Sequence, residues 1–239
     1  MRNILLTRSK EQSQELAEFF VNQGFQPFIE PLLTVKRLDV KSQILLLKKS
    51  EILSLIITSA NAAFAIIESD FPKDIRIFAV GKKSAQKLLE SGFTNILFAA
   101  ENSAISLEKL IIKSQKDKTG FILYFHGSVI SLDFEKTLAK IDFKVKKILA
   151  YQTTEVEFFS DEFLEFSRQN YFEKVLIFSQ KNAKNFVNLV KKYNLLEYFQ
   201  SSQIVCLSQK ILSGIEKSTF KNSTTFSELP ILSNFYDQK

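Results

Sequence analysis

Between Ile52 and Ile67 the chain runs through an uncharged β-branched and leucine stretch, breaks at Thr58-Ser59-Ala60-Asn61, and resumes with apolar residues at helical spacing (Ala63, Ile66, Ile67). That pattern specifies a buried strand feeding a helix. Thr58, Ser59 and Asn61 are N-cap residue types, and a helix start of this kind presents backbone N–H groups that attract anions. The same unit recurs at Lys174 to Val190. There Val175 to Phe178 is the strand, Ser179-Gln180-Lys181-Asn182 the turn, and Ala183, Phe186, Val187 and Val190 the apolar face of the helix.

The duplication continues on both sides. Ile75 to Gly92 matches Gln203 to Ser218, with Gly81-Lys82-Lys83 facing Ser208-Gln209-Lys210. Ile4 to Arg8 matches Ile122 to His126, and Gly24-Phe25 recurs at the same distance as Asp142-Phe143. Two copies of one long α/β pattern argue for two similar domains and against a solenoid.

At 239 residues the chain can bury one large core or two small ones. A net charge of +6 is compatible with nucleic acid, a membrane surface or an acidic small molecule. The lysines, however, are spread over solvated helix faces such as Lys48-Lys49, Lys113 to Lys118 and Lys191-Lys192, with no arginine-rich run, RNP-type aromatic motif or zinc-finger spacing. The reading is therefore no nucleic acid and a polyanionic small substrate. One cysteine, Cys206, rules out an intramolecular disulfide and points to a reducing compartment. The N-terminus enters a strand directly after Asn3, and no run approaches the ~18–20 apolar residues of a membrane span. Cytoplasmic location and no membrane contact are the expectations.

In chain order the periodicities predict a strand at Asn3 to Thr7 and an amphipathic helix at Ser9 to Asn22 stopped by Gly24. A long extended run follows at Pro27 to Leu38, with its counterpart at Lys144 to Val156. Two overlong extended runs at matching places fit paired connectors that carry the chain from one lobe to the other and back. Helices are predicted near Ser42 to Lys49, Ser84 to Ser91, Ala104 to Lys113, Leu132 to Ile141 and Asp161 to Gln169. Further strands are predicted at Ile75 to Val80, Ile96 to Ala99, Phe121 to Phe125, after Gln203, and weakly at Thr224 to Phe226. Such alternation means an open, mostly parallel sheet in each lobe, with ligands beyond the carboxyl ends of the strands. Arg8, Thr58 to Asn61, Gly81 to Ser84, Gly127-Ser128, Ser179 to Asn182, and Ser208 to Lys210 all fall there.

Glycine-rich dinucleotide and nucleotide motifs and the serine-hydrolase elbow are absent from the sequence. His126, the one histidine, has no second ligand at metal spacing. The chemistry is expected to need neither metal nor cofactor. A ring of Ser, Thr and Asn turns with Arg8, Lys82, Lys83, Lys181 and Lys210 beside them suits a ligand with many negative charges. Each of these turn residues is also an ordinary cap type. Tyr151 closes the second connector, where an aromatic serves packing or turns a phenolic donor toward a ligand.

In their order and spacing, Ile4 to Arg8, Thr58-Ser59-Ala60-Asn61-Ala62, Ala79-Val80-Gly81 with Ser84-Ala85, Gly127, Tyr151-Gln152-Thr153 and Phe178-Ser179 resemble the uroporphyrinogen-III synthase family over nearly the whole chain. The resemblance implies two similar flavodoxin-like α/β lobes with parallel sheets, joined by a two-stranded β ladder, with substrate in the cleft between them. Carried over, the first lobe holds residues 1–36 and 154–239 and the second 38–149, with connectors near 32–40 and 148–156. The implied substrate is hydroxymethylbilane, a linear tetrapyrrole with eight carboxylates, cyclised with inversion of the last ring and loss of water.

Under the resemblance Tyr151 assists departure of the hydroxyl, and Arg8, Thr58, Ser59, Ala60, Asn61, Gly81, Lys82, Lys83, Ser84, Gly127, Ser128, Ser179, Gln180, Lys181, Ser208 and Lys210 bind substrate. No cofactor is implied, the expected state is a monomer, and transient contact with the upstream deaminase is the expected partnership. The sequence departs from the family pattern at Ser9, where Pro is common, and at Ser208 to Ile211, in place of a Gly-containing turn. A rival expectation is a non-catalytic binder of an acidic tetrapyrrole-like ligand.

Overall fold

A strand with apolar residues at successive positions points side chains to both faces of its sheet, and both faces then need helices over them. The computed structural model describes residues 2–101, 103–215, 220, 222–229 and 232, without the Lys83 side chain. Its strands are β1 (Arg2–Leu6), β2 (Phe25–Ile29), β3 (Leu33–Arg37), β4 (Ile52–Ile57), β5 (Arg76–Ala79), β6 (Ile96–Phe98), β7 (Phe121–Gly127), β8 (Lys144–Glu155), β9 (Phe172–Ile177), β10 (Gln203–Cys206) and β11 (Ser223–Thr225). Its α-helices are α1 (Lys10–Asn22), α2 (Lys41–Leu45), α3 (Ala63–Ile67), α4 (Lys82–Glu90), α5 (Ala104–Ser114), α6 (Phe134–Ala139), α7 (Asp161–Gln169), α8 (Gln180–Lys192) and α9 (Gln209–Leu212).

The chain divides into two compact units, Met1–Thr34 with Thr154–Lys239, and Val35–Thr153. In the first, a five-stranded sheet runs β11-β10-β9-β1-β2 with every pairing parallel. Leu5, Val175 and Ile177 face one core with Phe163 of α7 and Phe186 of α8, while Ile4, Leu6 and Leu176 face another with Leu16 and Phe20 of α1. Pro27 lies on edge strand β2, where a missing N–H costs no ladder bond on the open side.

In the second unit β8-β7-β4-β5-β6 are parallel, with β3 outside β8. Leu55 and Ile57 pack with Ala63 of α3 and Leu88 of α4, and Ile56, Ile122 and Tyr124 with Leu107 of α5 and Phe134 of α6. The contacts Leu32 with Val156, Thr34 with Thr154 and Leu38 with Ala150 run in opposite senses along β3 and β8. That pairing is antiparallel, and these two strands carry the chain across the unit boundary.

The strand order has a consequence for the sequence repeat. Counting strands within a copy, each parallel sheet reads second, first, third, fourth, fifth. The first unit takes β1 and β2 from the first copy but β9, β10 and β11 from the second; the second unit takes β7 and β8 from the second copy and β4, β5 and β6 from the first. The copies are thus exchanged between the units.

Helix ends repeat as well. Gly24, Gly92, Asp142 and Asn194 have φ of 77°, 87°, 65° and 54°, and each precedes a buried apolar residue: Phe25, Phe93, Phe143 and Leu195. The N–H groups of Phe93, Phe143 and Leu195 bond back to Leu88, Leu138 and Val190, as in a left-handed helix stop. This stop ends α6 at Ala139, earlier than the predicted Ile141. The predicted helix at Ser42 to Lys49 ends at Leu45: Leu45 and Leu46 face solvent, while Leu47 packs against the core. The predicted single run at Pro27 to Leu38 is instead two strands, broken at Glu30-Pro31-Leu32. There the chain leaves the β1 edge after Glu30 and Leu32 donate to the carbonyls of Leu6 and Thr7. Residues 216–218, the end of the predicted match to Ile75 to Gly92, lie outside the described residues.

Candidate functional site

Parallel pairing delivers all carboxyl ends of a sheet to one edge, and a ligand site forms where neighbouring strands lead to helices on opposite faces. In the first unit that point lies between β1 and β9, since α1 covers one face and α8 the other. Thr7 and Arg8 follow β1, and Phe178 and Ser179 follow β9. The Thr7 hydroxyl donates to the Leu176 carbonyl at 2.6 Å, and the buried Asn182 amide donates to the Thr7 carbonyl at 2.9 Å. These bonds lock the two strand ends together. The Arg8 guanidinium lies 4.8 Å from the Phe178 ring centre, and its Nε donates to Gln12 Oε1 at 3.2 Å. A cation held over a ring at the strand edge suits an anionic ligand with apolar faces.

The Ser179 side chain accepts from the Asn182 N–H and caps α8 at 3.1 Å. Gln180 Nε2 donates to the Lys210 carbonyl at 3.2 Å, tying this turn to the one after β10. Lys181 is half-buried, and Ser208 and Lys210 are exposed.

In the second unit the corresponding point lies between β4 and β7, with α3 and α6 on opposite faces. Thr58 follows β4, and Ser59 caps the next turn by accepting from the Asn61 N–H at 3.1 Å; Ala60 and Asn61 form that turn. The helix expected after it is a 3-10 turn and then α3, five residues long. So short a helix carries a weak dipole, so the expected anion attraction here falls to hydroxyls and turn N–H groups. α4 is longer. Gly81 caps it, Lys82 is exposed, and Ser84 is buried. Lys83 lies in α4, with its side chain outside the described atoms.

The adjacent Gly127 and Ser128 and the distant Tyr151 are brought together by the pairing of β7 with β8. A register shift there sets Gly127 opposite Tyr151, and the Ser128 N–H donates to the Tyr151 carbonyl at 3.0 Å. The Thr153 N–H donates to Ser128 Oγ at 3.2 Å. The Tyr151 phenol is half-exposed and crosses the Cα of Gly127, where a Cβ would stand 2.7 Å from the hydroxyl oxygen. On the opposite face of the same sheet Tyr124, fully buried, reaches Thr58 Oγ1 at 3.1 Å. Burial pushes the Tyr124 pKa up; the Thr58 bond opposes this, and the charges of Tyr151 and Asp133 add to it, with Lys147 against. His126 stacks obliquely on Tyr124 at 5.3 Å, its Nδ1 donating to the Gly127 carbonyl at 2.8 Å.

The two units share backbone geometry at four turns. Ser59, Gly81, Ser179 and Ser208 have φ of −153°, −158°, −154° and −153°, with ψ of 143°, 166°, 159° and 162°. All are extended, so the Ser at 208 matches the Gly at 81 without backbone cost. The N–H groups of Val80 and Leu207 also make the same bond, to Ile57 and Ile177 respectively.

The sequence reading passed over Tyr124, Thr7 and Asn185. The signal for Tyr124 was present: one hydroxyl within an otherwise apolar run, where a buried phenol must find a partner. Asn185 donates to the carbonyls of Leu32 and Val156 at 2.9 and 3.0 Å, but its helical position gives no such sign. Elsewhere among the described residues a surface cavity of about 680 Å³ lies at the amino ends of β4 and β5, and another of about 730 Å³ against α1 and β2.

The family model for uroporphyrinogen-III synthase HemD matches residues 14–228. Among solved structures, uroporphyrinogen-III synthetase of Helicobacter pylori is similar at a TM-score of 0.61 with 15% identity, covering 100% of this chain and 99% of that one. A mutant uroporphyrinogen III synthase of Thermus thermophilus is similar at a TM-score of 0.52 with 14% identity, covering 99% and 98%. At these identities the likeness shows the two-sheet α/β fold. No curated protein matched.

Proposed function

We propose that this chain, which belongs to the uroporphyrinogen-III synthase family, is a lyase that closes hydroxymethylbilane to uroporphyrinogen III. The observation that carries the reading is the Tyr151 phenol, half-exposed beside the carboxyl end of β7 in room that Gly127 leaves for it. The strand order in each unit, second-first-third-fourth-fifth, supports two flavodoxin-like lobes.

A linear tetrapyrrole with eight carboxylates needs many donors. Arg8, Ser179, Gln180, Lys181, Ser208 and Lys210 supply them in one unit, and Thr58, Ser59, Asn61, Lys82, Lys83, Ser84 and Ser128 in the other, with turn N–H groups at Ala60, Gly81 and Gly127. The chemistry begins as the terminal pyrrole nitrogen pushes its electron pair toward the hydroxymethyl carbon and the C–O bond breaks. Tyr151 donates its hydrogen to the departing oxygen, which leaves as water. The substituted carbon of the far ring then attacks the resulting azafulvene, and the spiro intermediate fragments and recloses with that ring inverted. Ring closure releases a proton, which restores the phenol. Because the bilane also closes unaided to the uninverted isomer, the protein acts chiefly by holding one geometry.

A monomer in the cytoplasm, needing neither metal nor cofactor and handed its unstable substrate by the upstream deaminase, completes the reading. The test is to supply freshly generated hydroxymethylbilane and determine the isomer formed with and without the protein. Rapid formation of type III supports it. Type I alone, at the unaided rate, replaces it with a non-catalytic binder of acidic tetrapyrroles.

A further inference from the structure

Tyr124 is buried on the face of β7 packed by Ile56, Phe78, Ile122 and Phe134, with the Phe134 ring edge-on at 5.1 Å. Its hydroxyl projects out of that apolar layer toward the carboxyl edge of the second unit and meets Thr58 Oγ1 at 3.1 Å. Thr58 is half-exposed, at the point where β4 and β7 send their helices to opposite faces.

Distance alone leaves the direction of that bond open, but burial decides it. A buried phenol without an acceptor loses about 1–3 kcal/mol, and Thr58 Oγ1 is the acceptor at hand. Thr58 has no such constraint, because its own hydrogen can turn outward to solvent or ligand. The order is therefore Tyr124 O–H to Thr58 oxygen, and Thr58 O–H to whatever sits beyond the edge. Donating into Thr58 also polarises it and makes it a better donor in turn.

We propose that Tyr124 is a positioning residue: it orients the Thr58 hydroxyl as an outward donor to one carboxylate of the substrate. The proposal rests on the reading that this edge takes a polycarboxylate, and it adds a residue and a direction to that reading. Tyr124 itself does not touch the ligand, so its effect passes entirely through Thr58.

The experiment is a double-mutant cycle read by binding, independent of turnover. The probe is uroporphyrin I, an octacarboxylate, titrated by fluorescence against wild type, Thr58→Val, Thr58→Ser, Tyr124→Phe and the double variant Thr58→Val with Tyr124→Phe. Loss of a hydrogen bond to a charged group predicts about tenfold weaker binding for Thr58→Val, about fivefold for Tyr124→Phe, and a change within about twofold for Thr58→Ser. In the Thr58→Val background, Tyr124→Phe has no further effect.

Wild-type binding by Tyr124→Phe or Thr58→Val, or losses that multiply in the double variant, would overturn the proposal. So would failure of the wild type to bind uroporphyrin I. Should Tyr124→Phe fail to fold, 3-fluorotyrosine at position 124, a stronger donor, tightens binding if the proposal holds, and unchanged binding refutes it. Isomer analysis with hydroxymethylbilane is run alongside. Formation of type I alone refutes the proposed activity, while the binding cycle still decides the role of Tyr124.

Discussion

The ring of Tyr151 occupies the space that a side chain at Gly127 would fill: a Cβ there would lie 2.4 Å from Cζ and 2.7 Å from the hydroxyl oxygen. Gly127 thus serves its neighbour on the next strand. The backbone shift between β7 and β8 at this point brings the two residues into register. The placement of the proposed donor therefore depends on an absent side chain.

Gly127→Ala is expected to push the phenol off its site. Over-packing costs about 1–3 kcal/mol of stability, and displacement of a reacting group by about 1 Å costs about a hundredfold in rate. Conversion of hydroxymethylbilane together with thermal unfolding checks both. An alanine variant with wild-type turnover would mean that the phenol position is not critical.

Tyr151→Phe retains the ring against Gly127 and removes only the donor. Stability should stay within about 0.5 kcal/mol, while kcat falls about a hundredfold, the lower range for a lost general acid. Single-turnover kinetics separate this from binding. Turnover at the wild-type rate would remove Tyr151 from the mechanism.

Glu30 is a buried carboxyl between β2 and β3 that accepts from the Ser160 N–H at 2.7 Å and its hydroxyl at 2.8 Å. Burial pushes its pKa up; the two Ser160 bonds oppose this, and the nearby Glu162 charge adds to it. A raised folded value means that the folded chain keeps this proton at a pH where the unfolded chain has lost it. Its stabilising contribution is full below the ordinary carboxyl pKa and is lost as pH rises through the folded value. Glu30→Gln should flatten that slope and leave stability near neutral pH equal or higher. Melting temperature followed from acid to neutral pH gives the comparison; a steeper slope in the variant would contradict the burial argument.

Gly24 sits at φ 77° with open space where a Cβ would go, so Gly24→Ala is a clean measure of backbone strain. It is expected to lower stability by about 1–2 kcal/mol. Asp142 holds the equivalent stop in the other copy at φ 65°, and Asp142→Gly should be neutral or stabilising, within about 1 kcal/mol. Urea midpoints for the two variants moving in the same direction would break the equivalence.

Cys206 is a buried thiol whose pKa burial pushes up to about 12. Native protein should resist alkylation by iodoacetamide at neutral pH and react only on unfolding. Fast labelling of folded protein would show that β10 opens readily.

Much of the fold could be read from local pattern. Val175 to Ile177 and Ala183 to Val190 announce a strand and a helix through residues that are buried in the structure at the predicted spacing. Ser59 and Ser179 act as caps, as their residue type and position suggested, because capping is a contact within three residues. Helix ends were less legible. The stop at Asp142 needs a left-handed residue of a type that favours that conformation only weakly, and α2 stops where Leu45 and Leu46 face solvent.

What the sequence by itself determined is the repeated strand-turn-helix unit, its two-faced strands and its capped turns, since these follow from side-chain period and bonds between near neighbours. Tertiary structure alone decided which copy supplies each strand of a sheet, that Gly127 makes room for Tyr151, and that Tyr124 bonds Thr58 across 66 residues. Those outcomes depend on ladders and packing between residues distant along the chain, and a local period is the same whichever partner the strand finally meets.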